Sequence, residues 1–302
     1  MTAQTNLTER NQTGFYEAVA DDVKREFIQF LSVAGHGKTS SLRTILQYCK
    51  KKHPDLVFKI FDVSVAWFHN APVKYRQLVT REKLRAGKIA NVCDCVYEIG
   101  SLSEEEQMYF VSEIVDRDYD YRYKMKIENP EELEKQPFII YVWEEANIYF
   151  GSYSFRSNKP YTEIFKKVTS VGRNFRMRGF LIATAEVGEM SPSLRRRSKK
   201  IYGKIESESD LSKSRRRDKN REYQVTPKIM TMPKYHFLYD RGKDVYGPIQ
   251  IPDAVNHVPE DYVIEPLVQQ EPSQFNASWW IKFGAGAGIT LLAIDWLLNY
   301  KR

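Results

Sequence analysis

The chain has 302 residues, 42% of them hydrophobic and 28% charged, a globular composition that excludes a collagen-like, low-complexity or wholly disordered polypeptide. Three cysteines, Cys49, Cys93 and Cys95, exclude a disulfide framework, and no apolar leader precedes the first strand, which points to a cytosolic main domain. The net charge of +7 is local: Arg195 to Arg221 holds twelve Lys/Arg against four Asp/Glu, a net of +8 that leaves the remainder near −1. Such a patch suits either a polyanion bound through counterion release or a solvated charged loop.

Residues 1–24 are polar apart from Phe15, Tyr16 and Val19, and read as an arm or a short lead-in helix. "EFIQFLSV" is a strand-type run, followed by Gly35 and Gly37 and then by "TSSLRTILQYC", where Leu42, Ile45 and Leu46 recur at helical spacing. Lys50 to Lys52 end that helix with cations against its negative pole. "LVFKIFDVSV" and "NVCDCVYEIG" are further strands. Cys93 and Cys95 stand closer together than zinc-binding pairs do, and no partner pair accompanies them. "SLSEEEQMYFVSEIV" opens with Ser103 and Glu106 in capping-box spacing and continues as a helix. "RDYDYRYKMK", Arg117 to Lys126, interleaves bases with tyrosines, as a nucleic-acid contact or as an exposed loop with a few packed rings. "PFIIYVWEEAN" is a continuous apolar strand ending in two acids, "TEIFKKVTSVG" is a helix, and "GFLIATAEV" is another strand. The alternation predicts an α/β fold with a mainly parallel sheet flanked by helices, in which ligands gather beyond the carboxyl ends of the strands.

Two segments fall at those ends. Gly35, His36, Gly37, Lys38, Thr39 and Ser40 follow a strand and open a helix, the arrangement of a phosphate-binding loop. In such a loop the backbone N–H groups turn inward, lysine neutralises the β and γ phosphates of ATP, and threonine binds Mg2+. The full pattern would put a glycine at position 32, where this chain has Ser32, and a plain glycine turn starting a helix is the alternative. Glu144 and Glu145 follow the "FIIYVW" strand. Glu144 suits a magnesium contact and Glu145 a general base for the attacking water, against the alternative of an acid pair favoured by a helix start.

The ordered set "SVAGHGKTSS", "FIIYVWEEANIYF", "VTSVGRNFRMRGFLIATAE" and "SPSLRRRS" resembles the HerA/FtsK superfamily of P-loop ATPases, which includes DNA translocases and viral genome-packaging ATPases. The resemblance covers roughly residues 25–250. It implies that the "GRNFRMRGFLIAT" strand borders the phosphate loop and that the strand should end in a Thr-Gln sensor. Here Thr184 is followed by Ala185 and Glu186, so the sensor is displaced or lost, with Thr184 and Glu186 as candidates. It also implies a homo-oligomeric ring, commonly a hexamer, in which an arginine reaches the neighbour's γ phosphate. Arg173 is the first choice and Arg195 to Arg197 stand behind it, with a surface salt bridge or a DNA contact as the alternative for Arg173.

Residues 251–278 read as a linker or strap. Trp279 to Leu298 spans 20 residues with Trp279, Trp280, Trp296 and Tyr300 near its ends, a length and pattern that fit a transmembrane helix. Gly284 and Gly288 permit close helix association, and an amphipathic helix docking on a partner is the alternative. The expectation is an ATP-hydrolysing translocase of double-stranded DNA, cytoplasmic but tethered to a membrane, of the genome-packaging kind. A Zot-like membrane-bound assembly ATPase and a non-hydrolysing nucleotide-binding scaffold are the alternatives.

Overall fold

A computed structural model of the chain describes residues 13–68, 70–151, 160–183, 191, 194, 197–207, 228–242 and 244–251. Helix α1 (residues 13–22) precedes strand β1 (Ile28–Leu31), the glycine loop and helix α2 (Lys38–Lys52). Strands β2 (Leu56–Asp62) and β3 (Tyr75–Leu78), helix α3 (Arg81–Arg85), strand β4 (Cys95–Glu98) and the long helix α4 (Glu104–Glu128) follow. Then come α5 (Pro130–Lys135), β5 (Phe138–Trp143), the single-turn α6 (Ala146–Phe150), α7 (Pro160–Val171), a 3₁₀ turn at Gly172–Phe175 and β6 (Met177–Ala183). Strands β7 (Lys199–Tyr202), β8 (His236–Asp240) and β9 (Val245–Gln250) complete the described part.

The nine strands form one sheet in the order β3-β4-β2-β5-β6-β1-β7-β8-β9. From β3 to β7 every neighbouring pair is parallel, and β8 and β9 add an antiparallel hairpin at one edge. Strand β6 lies between β1 and β5, with Phe180 opposite Ile28 and Ile139 opposite Met177. The strand expected to border the phosphate loop does so.

The central strands are buried on both sides, which is why β5 reads as an unbroken apolar run, all six residues buried. On one face Leu42, Ile45 and Leu46 of α2 pack with Phe30, Ile60 and Val142, each such side chain worth about 1.5–3 kcal/mol on burial. On the other face Phe110, Val111 and Ile114 of α4 and Ile164, Phe165 and Val168 of α7 cover Tyr141, Trp143 and Leu181. Helix α1 belongs to the first face: Phe15 and Val19 are fully buried there. The segment before Arg25 is thus, from residue 13, a helix of the core rather than an arm.

The Ser103/Glu106 capping box forms in both directions, with three glutamates in the first turn. The tyrosine-rich run Arg117 to Lys126 is corrected from a loop to the second half of α4. Its polar residues broke the apolar stripe because they face inward for hydrogen bonds. Asp118 receives Lys59 Nζ at 2.8 and 2.7 Å and Tyr141 Oη at 2.7 Å, and Arg122 donates to the carbonyls of Phe175, Arg176 and Pro137. Tyr119 and Tyr123 stack on each other and against Phe175. Tyr121 remains largely exposed.

The basic stretch from Arg195 begins with structure as well. Lys199 and Lys200 lie in β7, the Lys199 ammonium bonds to the Arg241 carbonyl, and Lys200 is buried against the Ser198 carbonyl. Residues 208–227, including Arg215 to Arg217, lie outside the described residues, as do the linker and the apolar segment 279–298. Among the described residues no helix is long and apolar enough to cross a membrane.

Candidate functional site

Strands β1, β2, β5 and β6 end together, and the loop after β1 meets the acids after β2 and β5 there. Gly35 and Gly37 have φ of +70° and +83°, left-handed values that glycine adopts without strain. Gly37 caps α2 without any side-chain bond, and the first turn of that helix carries no acid, so the positive pole faces the loop uncompensated. Ser40 turns its hydroxyl back to the Gly37 carbonyl at 3.2 Å.

Lys38 folds into the loop, its ammonium donating to the carbonyls of Ser32 at 2.9 Å and Val33 at 3.1 Å. Burial pushes its pKa below the usual lysine value, opposed by the charges of Glu145 and Glu144. A partly desolvated cation held on neutral carbonyls is matched to an anionic ligand.

Ser32 accounts for the missing glycine. It is fully buried, its hydroxyl donates to the Lys204 carbonyl at 3.2 Å, and its side chain fills the space beside Gly203, where a Cβ would collide with it. The side chain is turned onto β7. Gly203, the residue after β7, leaves the room that this side chain occupies.

Glu144 reaches across β6 to the loop: Thr39 Oγ1 donates to its Oε1 at 3.3 Å. Its Oε2 accepts from the Val63 N–H at 3.2 Å and from Ser64 Oγ at 2.8 Å. Glu144 is 5% exposed and lies against Asp62, which is fully buried at the end of β2. Burial first, and the Asp62 charge second, push the Glu144 carboxyl up to about 7. Asp62 escaped the sequence reading, because one acid at a strand end looks like the start of a turn. It does also shape that turn, accepting from the N–H groups of Ser64 at 3.2 Å and of Trp67 and Phe68 at 2.9 Å.

Glu145 stands beside this pair at the head of α6 in a left-handed conformation, φ 48° and ψ 53°, with no capping bond from its side chain. It is only partly buried. The site thus combines an oxygen-rich corner suited to Mg2+, an uncompensated helix pole suited to phosphate, and an acid suited to polarising water.

Arg173 is exposed in the 3₁₀ turn before β6. Since β6 is seven residues long and a strand advances about 3.3 Å per residue, the turn lies roughly 23 Å from the phosphate loop, at the opposite end of the sheet. Thr184, Glu186, Arg195 and Arg196 lie outside the described residues, and Arg197 is exposed. Among the described residues no group of His, Cys, Asp or Glu could hold a metal ion unaided. Cys95 is buried in β4, where burial raises its thiol to about 12, and Asp94 pairs with Lys50 at 2.6 Å.

A mostly parallel sheet with a glycine loop between its central strand and helix, and an acid pair one strand removed, defines the fold of a P-loop NTPase, as expected for the HerA/FtsK superfamily. No protein-family description and no curated protein matches the sequence. Among solved structures the chain is similar to the genome packaging NTPase B204 from Sulfolobus turreted icosahedral virus 2. Against its complex with ATP-gammaS the TM-score is 0.51 at 12% identity, over 75% of this chain and 98% of that one. Against its complex with sulfate the TM-score is 0.50 at 13% identity, over 74% and 96%. A looser likeness, TM-score 0.45 at 15% identity over 77% and 62%, is to the pCW3 conjugation coupling protein TcpA with ATPgS.

Proposed function

We propose that the chain is an ATP-hydrolysing translocase of double-stranded DNA of the genome-packaging kind, working as a homo-oligomeric ring. The observation that carries this is the bond from Thr39 to Glu144, which joins the phosphate loop to the acid pair in a fold shared with a genome packaging NTPase. Lys38 and the first amides of α2 bind the β and γ phosphates. Thr39 and Glu144 hold Mg2+, which neutralises the charge of the phosphates when bound. Glu145 accepts the proton of the attacking water and orients it towards the phosphorus.

Arg173 lies too far from its own loop to act there, and in this reading it reaches the neighbouring subunit's loop. This makes hydrolysis depend on assembly. The basic stretch from Arg195 to Arg221 meets DNA phosphates, and the apolar segment 279–298 tethers the motor to a membrane, with the ATPase domain on the cytoplasmic side.

The test is the ATPase rate of the full chain with and without double-stranded DNA, beside two variants. Glu145→Gln retains ATP and loses turnover by about 10²–10⁴-fold, the worth of a general base, whereas Lys38→Ala loses ATP binding. Equal rates in wild type and Glu145→Gln would sink the assignment, and a rate indifferent to DNA would sink the motor.

A further inference from the structure

The run from Pro233 to His236, which enters β8, lies against the phosphate loop. The Pro233 carbonyl oxygen is 2.9 Å from His36 Nε2, and Tyr235 donates its N–H to the His36 carbonyl at 3.4 Å. The Tyr235 carbonyl accepts from the Ile251 N–H at 2.8 Å. With both backbone polar groups engaged, Tyr235 is held at φ 61°, a conformation that a bulky side chain rarely adopts and that is retained where the surroundings impose it. Its ring is thereby set against Gly37, where an added Cβ would collide with ring carbons Cδ1 and Cε1. Glycine at 37 serves two needs, the left-handed turn and the room for this ring.

The Pro233 carbonyl and the Tyr235 N–H both meet the loop at its outer residue, His36. Lys38 bonds to the carbonyls of Ser32 and Val33, and Thr39 to Glu144. The ring is partly exposed, and the Lys234 ammonium lies 4.9 Å from its centroid. A cation over an exposed ring is weakly held and gives way to a better partner.

We propose that Tyr235 is the platform on which the purine base of the bound nucleotide stacks, making it a specificity-determining residue of the site. The inference rests on the phosphate-loop reading. A triphosphate seated on the amides at the start of α2 carries its nucleoside out of the loop, and Tyr235 offers a fixed aromatic face beside Gly37. Stacking on such a face favours the larger purine ring over a pyrimidine and gives nothing to a bare polyphosphate. Lys234 moves off the ring when the base arrives.

The experiment measures calorimetric binding of ATP, CTP and inorganic tripolyphosphate, each with Mg2+, to the full chain. For wild type, ATP binds several-fold more tightly than CTP, and more tightly than tripolyphosphate. Tyr235→Leu, which keeps bulk and loses the aromatic face, loses about tenfold in ATP affinity while tripolyphosphate affinity stays within about twofold. Tyr235→Phe matches wild type on all three ligands.

Equal loss on ATP and tripolyphosphate in Tyr235→Leu would make the residue a support of the loop, and equal gain would make it an obstruction. Either result overturns the proposal. Because the wild-type comparison needs no variant to fold, equal affinity for all three ligands there overturns it as well. Tripolyphosphate bound equally by wild type and Lys38→Ala would instead overturn the phosphate-loop reading on which the proposal stands.

Discussion

Strand β2 carries two buried charges, Lys59 and Asp62, in opposite circumstances. Lys59 is 1% exposed, and its ammonium is fully answered within the protein by both oxygens of Asp118 and by Asn91 Oδ1 at 2.6 Å. Asp62, three residues further on, faces a second carboxyl group, Glu144, and the Lys38 ammonium, whose charge Glu144 feels, is bonded to backbone carbonyls instead. One cluster is closed and stabilises the link between sheet and α4. The other is left short of positive charge at the place where a metal–phosphate ligand would bring it. Buried charge alone therefore marks neither structure nor function; what separates the two is whether the partners are already present.

The largest effect tests the closed cluster. Lys59→Met leaves Asp118 buried without its cation and costs about 3–5 kcal/mol in chemical denaturation. Adding Asp118→Asn, which removes the charge and keeps one carbonyl oxygen for either Tyr141 or Asn91, the donors to its two oxygens, restores part of the loss. A double variant no better than Lys59→Met would mean that packing, not charge, was lost.

The open cluster behaves inversely. The folded protein holds a proton on Glu144 more tightly than the unfolded chain does, since its carboxyl is raised from 4.5 to about 7. The raised value favours folding in acid and penalises it once the carboxyl must ionise. In nucleotide-free protein, stability therefore falls as pH rises from about 4.5 to about 7. Glu144→Gln removes that fall and is the more stable protein at pH 8 by about 1–3 kcal/mol, although it loses turnover. Thermal denaturation across the pH series reads the difference, and parallel curves for the two proteins would close the comparison against us.

The smallest effect lies at the loop itself. Ser32→Gly loses the bond to the Lys204 carbonyl, about 1 kcal/mol, and leaves ATP affinity within about twofold. A large change in affinity would show that the serine side chain shapes the nucleotide pocket after all.

The loop and the acids after β5 were legible because each is contiguous in sequence and bracketed by apolar runs. Lys38, Thr39 and Glu144 could be placed at strand ends without knowing that the bonded threonine and glutamate stand 105 positions apart. The positions of Asp62 beside Glu144 and of Tyr235 beside Gly37 were not legible, since each meets a neighbour distant in sequence and carries no local pattern. Strand β3 escaped because it is short and only one of its four residues is buried. Strand β7 was hidden inside a count of positive charge, although Ile201 and Tyr202 are fully buried. In α4 the inward-facing Asp118 and Arg122 obscured the helical period that Ser103 and Glu106 had announced.

Glu145 departs from what its backbone would choose. A non-glycine residue at φ 48° pays about 1–2 kcal/mol for the left-handed conformation, and glycine there would relax the turn. Glu145→Gly should raise the melting temperature, by the few degrees that about 1 kcal/mol corresponds to in a domain of this size, while abolishing hydrolysis. Selection for thermal endurance alone would therefore discard this carboxylate early, and a hardened variant of the protein would be an inert one. An unchanged or lower melting temperature in Glu145→Gly would show that the turn is not under tension.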